Sequence, residues 1–246
     1  MALRAAANLT RKATAPRKRL SPQERERQIL RGAIKFFSEH GLDGQMRVLA
    51  QNIGVTHALL YHYFPTKQAL LERVYAELFE GRWKNEWDQL LDSRTLDPEA
   101  KLTRFYCDYQ ETILTRDFVR ILIFSGLSEH YMTDRFFALL RERLFPRLIR
   151  ETRKFRGAAS RAKASPRELE FLMGLHGGMF YTAVRHWVYG QAVHSTENAE
   201  YDAGRIRDRV RAYLLAAAAL FGETDSSQRN RCSTRKVNGR AARAPA

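Results

Sequence analysis

Ala50-Gln-Asn-Ile-Gly-Val-Thr-His-Ala-Leu-Leu-Tyr-His-Tyr-Phe-Pro-Thr-Lys67 is a stretch that predicts the end of one helix, a tight turn, a short second helix and an abrupt stop. Gly54 can adopt the positive φ that a turn between helices needs, and Thr56 can cap the new helix. Pro65 disfavours the helical conformation at the preceding residue and so ends that helix. The short helix contains no acidic residue, which is typical of a helix-turn-helix that enters the DNA major groove.

The charge of the chain is concentrated at its two ends. The chain has 246 residues, enough for one large or two modest domains, and its net charge is +15. Residues 1–20 and 222–246 carry two thirds of this excess, and their composition predicts two disordered basic tails. Such tails beside a DNA-binding module can add contacts to phosphates, although a merely solubilising role fits them equally well.

The cysteines and the apolar segments restrict the class of protein. Cys107 and Cys232 have no neighbouring cysteine, so neither a disulfide framework nor a metal site is predicted. This is typical of a reducing compartment. The N-terminus lacks a secretory signal, and no apolar run reaches the roughly 18 residues of a membrane span. We therefore expect a cytoplasmic protein without a membrane partner.

Helical periodicity runs through the whole chain between the tails. Ser21-Pro22-Gln23-Glu24 has the spacing of a capping box, and Ile29, Ala33 and Phe37 follow on one helical face. Gly81 is a candidate bend, and Pro146 is expected to kink the helix that contains it. We predict an all-α protein of about nine helices with these approximate bounds: 22–40, 45–52, 56–63, 66–92, 98–116, 118–128, 133–155, 166–189 and 202–221.

The first of these helices resemble the N-terminal signature of the tetracycline-repressor-type (TetR) family of bacterial transcription regulators. The resemblance covers about residues 25–72. The matching residues are Ile29, Ala33, Phe36, Phe37, Gly41, Leu49, Ala50, Gly54, Val55, Thr56, the run from Leu60 to Lys67, Leu70 and Leu71. The resemblance implies a helix-turn-helix DNA-binding domain over 21–66 and a helical ligand-binding and dimerisation domain over 67–221.

The resemblance also implies a bacterial, nucleoid-associated protein and its partners. Members of this family bind double-stranded DNA as homodimers, usually through their last two helices, which correspond to about 166–190 and 202–221. A small-molecule effector usually changes the spacing of the two DNA-binding domains. Gln45, Val48, His57 and Leu59 differ from the residues common in the family, so we expect an operator different from those of well-known members.

The short second helix has one face for the core and one for DNA. Leu60 and Phe64 are expected to pack inward, whereas Tyr63 is expected to be a core aromatic and Tyr61 is not. Tyr61 and Lys67 resemble the family's phosphate contacts. Histidines can donate to base acceptors, and small apolar side chains can contact thymine methyls. The residues expected to contact DNA are Gln45, Arg47, Thr56, His57, Ala58, Leu59, Tyr61, His62 and Lys67.

The effector site is predicted only broadly, among the helices of 98–190. The abundant aromatic residues suit an apolar or aromatic effector. Three glycines interrupt the helix over 171–190, which favours close approach of a partner helix. The polar residues on or near apolar faces, taken as candidate ligand contacts, are Cys107, Tyr109, His130, His176 and Tyr181.

Other classes of function compete with a regulator. A non-specific or architectural nucleic-acid-binding protein that uses its basic tails is the main alternative to a ligand-responsive repressor that binds a palindromic operator. The sequence shows no phosphate loop, nucleophile elbow or zinc-protease motif, so it predicts neither an enzyme nor a cofactor or metal site.

Overall fold

The structure, a computed structural model, describes residues 20–128, 130–158, 162–193 and 199–238; for 199–201 and 223–238 it describes the backbone alone. Within those ranges the regular structure is helical throughout and contains no strand. The predicted all-α class is therefore confirmed. The N-terminal tail over 1–19 lies outside the described residues.

Three helices form the N-terminal module. They are α1 (Pro22–His40), α2 (Met46–Asn52) and α3 (His57–Tyr63). The predicted capping box begins α1, because the Ser21 side chain accepts from the Glu24 amide at 3.2 Å while the Glu24 carboxylate accepts from the Ser21 amide at 2.7 Å. Gly41 ends α1 at φ 83°, a conformation that glycine adopts without strain.

The helix predicted over about 66–92 is divided in the structure. Here α4 (Lys67–Tyr75) continues as a π-helical turn (Ala76–Glu80), and α5 (Asn85–Asp92) begins after a break. The amide of Gly81 donates to the Ala76 carbonyl, five residues back, at 2.7 Å, and this wide turn ends the first segment. Asp108 holds the start of α5 by accepting from the Trp87 indole, which donates at 2.6 Å.

The remaining helices form the core domain. They are α6 (Pro98–Thr112), α7 (Arg116–Leu127), α8 (Tyr131–Leu139), a π-helical turn (Leu140–Leu144), α9 (Phe145–Phe155), α10 (Pro166–Trp187) and α11 (Ala199–Asn238). The irregularity expected at Pro146 takes the form of this π-helical turn. Proline has no amide hydrogen to donate to the carbonyl four residues back, so the regular α-helical ladder is interrupted there.

The last helix is longer than predicted. We expected α11 to end near residue 221 and 222–246 to be disordered, but the helix continues to Asn238. No proline interrupts 222–238, and Gly222 is its only glycine, so the backbone pattern has no strong stop signal there. The final residues, 239–246, lie outside the described ranges.

The N-terminal module and the core domain pack against each other. Helix α1 lies against α7, and buried residues from α1 to α11 form one hydrophobic cluster. The Arg120 guanidinium donates to the Ser38 carbonyl at 2.5 Å, near the end of α1. The α2–α3 unit is thereby presented on a helix that the core domain supports.

Candidate nucleic-acid interface

The turn between α2 and α3 has the predicted geometry. Gly54 adopts φ 71°, and the Val55 amide donates to the Ala50 carbonyl at 3.0 Å. The Thr56 hydroxyl accepts from the Leu59 amide at 3.1 Å and so caps α3. The helix ends at Phe64, whose φ of −133° is not helical, before Pro65.

The two faces of α3 differ sharply in exposure. Leu60 is 0% exposed and Phe64 3%, and both belong to the hydrophobic cluster. The predicted DNA contacts lie outside that cluster. Those that are exposed are Gln45, Arg47, Thr56, His57, Ala58, Tyr61 and His62, while Leu59 and Lys67 are half-buried. The structure therefore presents all nine predicted contacts at least partly to solvent, on α2, on α3, on the residue that precedes each of these helices and on the first residue of α4.

Aromatic packing sets the directions of several of these side chains. The His57 ring contacts the Tyr61 ring edge-on, with centroids 4.6 Å apart, and Tyr61 remains 38% exposed. Tyr63 is half-buried against the hydrophobic cluster, as expected of a core aromatic. Its ring contacts the His62 ring at 5.3 Å, so each of the two histidines of α3 packs against a neighbouring tyrosine.

The electrostatics of this surface favour a polyanion. No acidic residue occurs between Met46 and Tyr63. Arg47 is exposed on α2, and Lys67 is the first residue of α4. Gln45 begins α2 without making a side-chain capping hydrogen bond, which leaves its amide on the surface. Cationic and neutral polar groups are the side chains that contact DNA phosphates.

The candidate effector contacts do not converge on one site. Tyr109 and His176 meet in the core, where the tyrosine hydroxyl lies 3.5 Å from Nε2 of the histidine. By contrast, Cys107 is half-buried, and His130 is exposed at the start of α8 with φ 58°. Tyr181 is 55% exposed on α10.

The cluster around His176 includes residues that the sequence analysis missed. Tyr106 and Phe145 contact the His176 ring at centroid distances of 6.0 and 5.5 Å. The Tyr106 hydroxyl and His176 Nδ1 are buried and have no hydrogen-bond partner. Burial lowers the pKa of His176 to about 4 and raises the pKa of Tyr106 and of Tyr109, so all three side chains are neutral at pH 7. The sequence signal that could have indicated Tyr106 is its position three residues before Tyr109, on the same face of α6.

One face of α10 is open. A Cβ atom added at Gly174, Gly177 or Gly178 would contact nothing within 4 Å beyond its own helix backbone and chain neighbours. Two of these glycines line an apolar groove of about 670 Å³ between α10 and α11, together with Phe171, Ala212 and Leu220. Tyr181 lies on the same helical face, because its spacing from Gly174 and Gly178 is seven and three residues.

Two kinds of feature are absent from the described residues. No helix there is sufficiently long and apolar to cross a membrane. Across the same ranges, no group of three or more His, Cys, Asp or Glu side chains is arranged to hold a metal ion.

Comparison with known proteins finds relatives of the N-terminal module. The sequence model of bacterial regulatory proteins of the tetR family matches residues 29–74, from within α1 to within α4. The HTH-type transcriptional repressor KstR2 of Mycolicibacterium smegmatis (strain ATCC 700084 / mc(2)155) is 29% identical over 93 residues, which are 37% of this chain and 44% of that protein. The match thus spans less than half of the relative's length.

Solved structures share the fold over most of the chain. A TetR-like transcriptional regulator from Rhodococcus sp. RHA1 superposes with a TM-score of 0.59 at 18% identity, over 80% of this chain and 99% of that one. The fatty acid degradation regulator FadR from Bacillus halodurans gives a TM-score of 0.56 at 19% identity, over 80% and 97%. The N-terminal module is thus similar in sequence to bacterial regulatory proteins of the tetR family, and the chain shares its fold with solved TetR-like regulators.

Proposed function

We propose that the protein is a sequence-specific DNA-binding transcription regulator. The observation that carries this proposal is the exposed, acid-free face of α3, held outward by the buried Leu60 and Phe64. A helix of this kind enters the major groove while the helix before it crosses the backbone. The matched curated relative is a repressor, which supports repression rather than activation.

Mobility shifts against a sequence selected from random DNA test this proposal. We expect Tyr61→Ala and Lys67→Ala to weaken binding to all DNA sequences. If Lys67 contacts a phosphate, Lys67→Ala also reduces the slope of log affinity against log salt concentration by about one. His62→Ala changes the preferred bases instead. Unchanged DNA binding in all three variants would show that this face is not the interface.

The alternative is a non-specific nucleic-acid-binding protein that relies on its basic tails. Deleting residues 1–20 separates the two functions, because those residues carry six basic side chains and no acidic one. Specific binding by α3 survives the deletion with reduced affinity. If binding instead depends on the tail, the deletion lowers the affinity equally for every DNA sequence, and substitutions in α3 leave the affinity unchanged.

We further infer a homodimer that binds a palindromic site. The open glycine face of α10 and the adjacent groove offer an apolar surface that the protomer itself does not cover. Exposed Tyr181, Leu215 and Leu220 extend the apolar character of this region of α10 and α11. Two copies related by a two-fold axis would bring their α3 helices into successive major grooves about 34–36 Å apart.

Gly178→Leu tests the dimer without disturbing the protomer. The new side chain enters open space, and leucine favours a helix by about 1 kcal/mol over glycine. We expect light scattering to report monomers that keep their helical circular dichroism. Lys35→Leu, on the exposed face of α1, is the matched control and stays dimeric. A dimeric Gly178→Leu variant places the interface elsewhere.

The response to a small molecule is assigned to the cluster of Tyr106, Tyr109 and His176. A buried polar atom without a partner costs about 1–3 kcal/mol, and a ligand hydroxyl or carbonyl can recover that cost. Because the three groups are neutral and surrounded by aromatic rings, an uncharged, largely aromatic effector fits them.

Phenol is a suitable probe, since it combines one hydroxyl with one aromatic ring. We expect millimolar phenol to raise the melting temperature of the wild type and to have a smaller effect on Tyr106→Phe. Tyr189→Phe changes an exposed tyrosine outside the proposed sites and serves as the control. Equal shifts in all three proteins would place phenol binding outside this cluster, and the absence of a shift in the wild type would contradict the assignment.

A further inference from the structure

The exposed face of α3 is unusually poor in groups that read bases by paired hydrogen bonds. Along this face the structure presents His57, Ala58, Tyr61 and His62, with Leu59 half-buried at one side. Bidentate readout of guanine uses Arg or Lys, that of adenine uses Asn or Gln, and cytosine is read by Asp or Glu. None of these six residue types occurs in α3.

The exposed face of α3 is apolar at Ala58, in the first turn of the helix. Ala58 and His62 are four residues apart and therefore share one line of the helix, opposite the buried Leu60. His57 and Tyr61 form a second line, and their rings contact each other at 4.6 Å. The methyl group of Ala58 lies in the first turn of α3, the part of a recognition helix that contacts base edges.

Thymine is the base that such a surface distinguishes best. Its C5-methyl group is the apolar feature of the major groove, and alanine is among the side chains that contact it. This inference rests on the proposed function of α3. We propose that each half-site of the operator is recognised chiefly through thymine methyl groups, which Ala58 contacts with Leu59 beside it. His62 adds a single hydrogen bond to a neighbouring base acceptor, and Arg47 on α2 is the one arginine of α2 and α3.

Replacing thymine by uracil in the selected DNA tests whether the methyl groups are recognised. Deoxyuridine keeps every hydrogen-bonding group of thymidine and lacks the methyl group alone. Replacing the contacted thymine in one half-site is expected to weaken binding about fourfold, as removal of one buried methyl group does. Replacement in both half-sites of a dimer is expected to weaken binding roughly fifteenfold by the same constant.

Variants of the protein assign the contact to its helix. In Ala58→Ser, where a hydroxyl replaces the apolar surface, the preference for thymine over uracil falls to near unity. Val48→Thr is the matched control, because Val48 is an apolar side chain 46% exposed on α2, which crosses the backbone rather than the base edges. That variant keeps the full preference for thymine.

The outcomes separate this inference from the function on which it rests. Selection that yields no preferred sequence overturns sequence-specific binding itself. If a preferred sequence is found, but replacing any of its thymines by uracil changes the affinity by less than twofold, sequence-specific binding stands. Recognition through thymine methyl groups is then wrong. Loss of the preference in Val48→Thr but not in Ala58→Ser moves the contact from α3 to α2.

Discussion

Two threonine hydroxyls hold the first turns of the helices on either side of Pro65. Thr56 accepts from the Leu59 amide at 3.1 Å, and Thr66 accepts from the Ala69 amide at 3.0 Å. Helix α3 has only seven residues, so each of its few hydrogen bonds matters more than in a long helix. The direction of Ala58 and Leu59 depends on this cap, since both belong to the turn that it closes.

Thr56→Ala is expected to lower the free energy of unfolding by about 1 kcal/mol, the usual cost of a lost N-cap. Affinity for DNA falls by more than this stability loss alone explains, because the first turn of α3 frays where it contacts the bases. Urea denaturation and mobility shifts measure the two effects. Thr56→Ser keeps the capping oxygen and should behave like the wild type; a defect as large as that of Thr56→Ala would show that the threonine methyl, not the cap, is important.

At the scale of elements, a buried ion pair joins α6 to α9. The Lys101 ammonium donates to the Glu151 carboxylate at 2.8 Å, and their side chains are 1% and 0% exposed. Lys101 also donates to the carbonyls of Leu91 and Ser93 at the end of α5, so one ammonium connects three helices. Burial raises the pKa of Glu151, but its hydrogen bonds with Lys101 and Lys154 outweigh this and hold the pKa below its usual value.

Lys101→Met should destabilise the fold by roughly 3–5 kcal/mol, because it leaves a carboxylate at a buried site without its main partner. The double variant Lys101→Met/Glu151→Leu removes both charges and is expected to recover most of that loss. Thermal unfolding of the wild type, the single variant and the double variant measures it. A double variant as unstable as the single one would mean that the ion pair itself, rather than the avoided unpaired charge, stabilises the fold.

A second pair makes the joint between α9 and α10 sensitive to acid. The Arg153 guanidinium donates to both oxygens of Glu168, at 2.8 and 2.6 Å, and this pairing holds the pKa of Glu168 at about 2. Because the folded-state pKa lies below the ordinary value of 4.5, this stabilisation is present above about pH 4.5 and is lost as the pH falls towards 2. Glu168→Gln should flatten the dependence of unfolding free energy on pH in that window, and an unchanged slope would assign the acid sensitivity to other carboxylates.

Local signals and distant contacts differed in how well the sequence predicted them. The turn at Gly54, the cap at Thr56 and the stop before Pro65 depend on neighbouring residues, and each is present as predicted. The pairing of Lys101 with Glu151 joins residues 50 apart, and that of Tyr109 with His176 joins residues 67 apart. No periodicity along the chain reports such pairs, since they follow from how helices pack rather than from which helices form.

At the scale of the whole molecule, the junction of α1 with α7 connects the DNA-binding module to the core domain. The carbonyl of Ser38, a fully buried residue, accepts from the Arg120 guanidinium at 2.5 Å. Carbonyls in the last turn of a helix have no partner within that helix, and a cation there also interacts favourably with the helix dipole. Phe124, one turn after Arg120, lies against Gly41, where α1 ends.

Arg120→Met keeps the aliphatic volume of the arginine stem but leaves the Ser38 carbonyl without its donor. We expect a loss of about 2 kcal/mol in unfolding free energy, since the lost hydrogen bond involved a charged group. Hydrogen exchange should quicken in α1, α2 and α3 while α9 and α10 keep their protection, because the weakened contact holds the module and not the core.

Arg116→Met is the matched control at the same junction. Arg116 lies 3.8 Å from Glu39, and both side chains are more than a third exposed, so this pair is worth less than about 1 kcal/mol. If both variants speed exchange equally, or if Arg120→Met speeds it throughout the protein, the junction is not a separate joint. Exchange confined to the module in Arg120→Met alone would show that the hydrogen bond from Arg120 to Ser38 helps the core domain to position the DNA-binding helices. Through this contact an effector bound near His176 could alter DNA affinity.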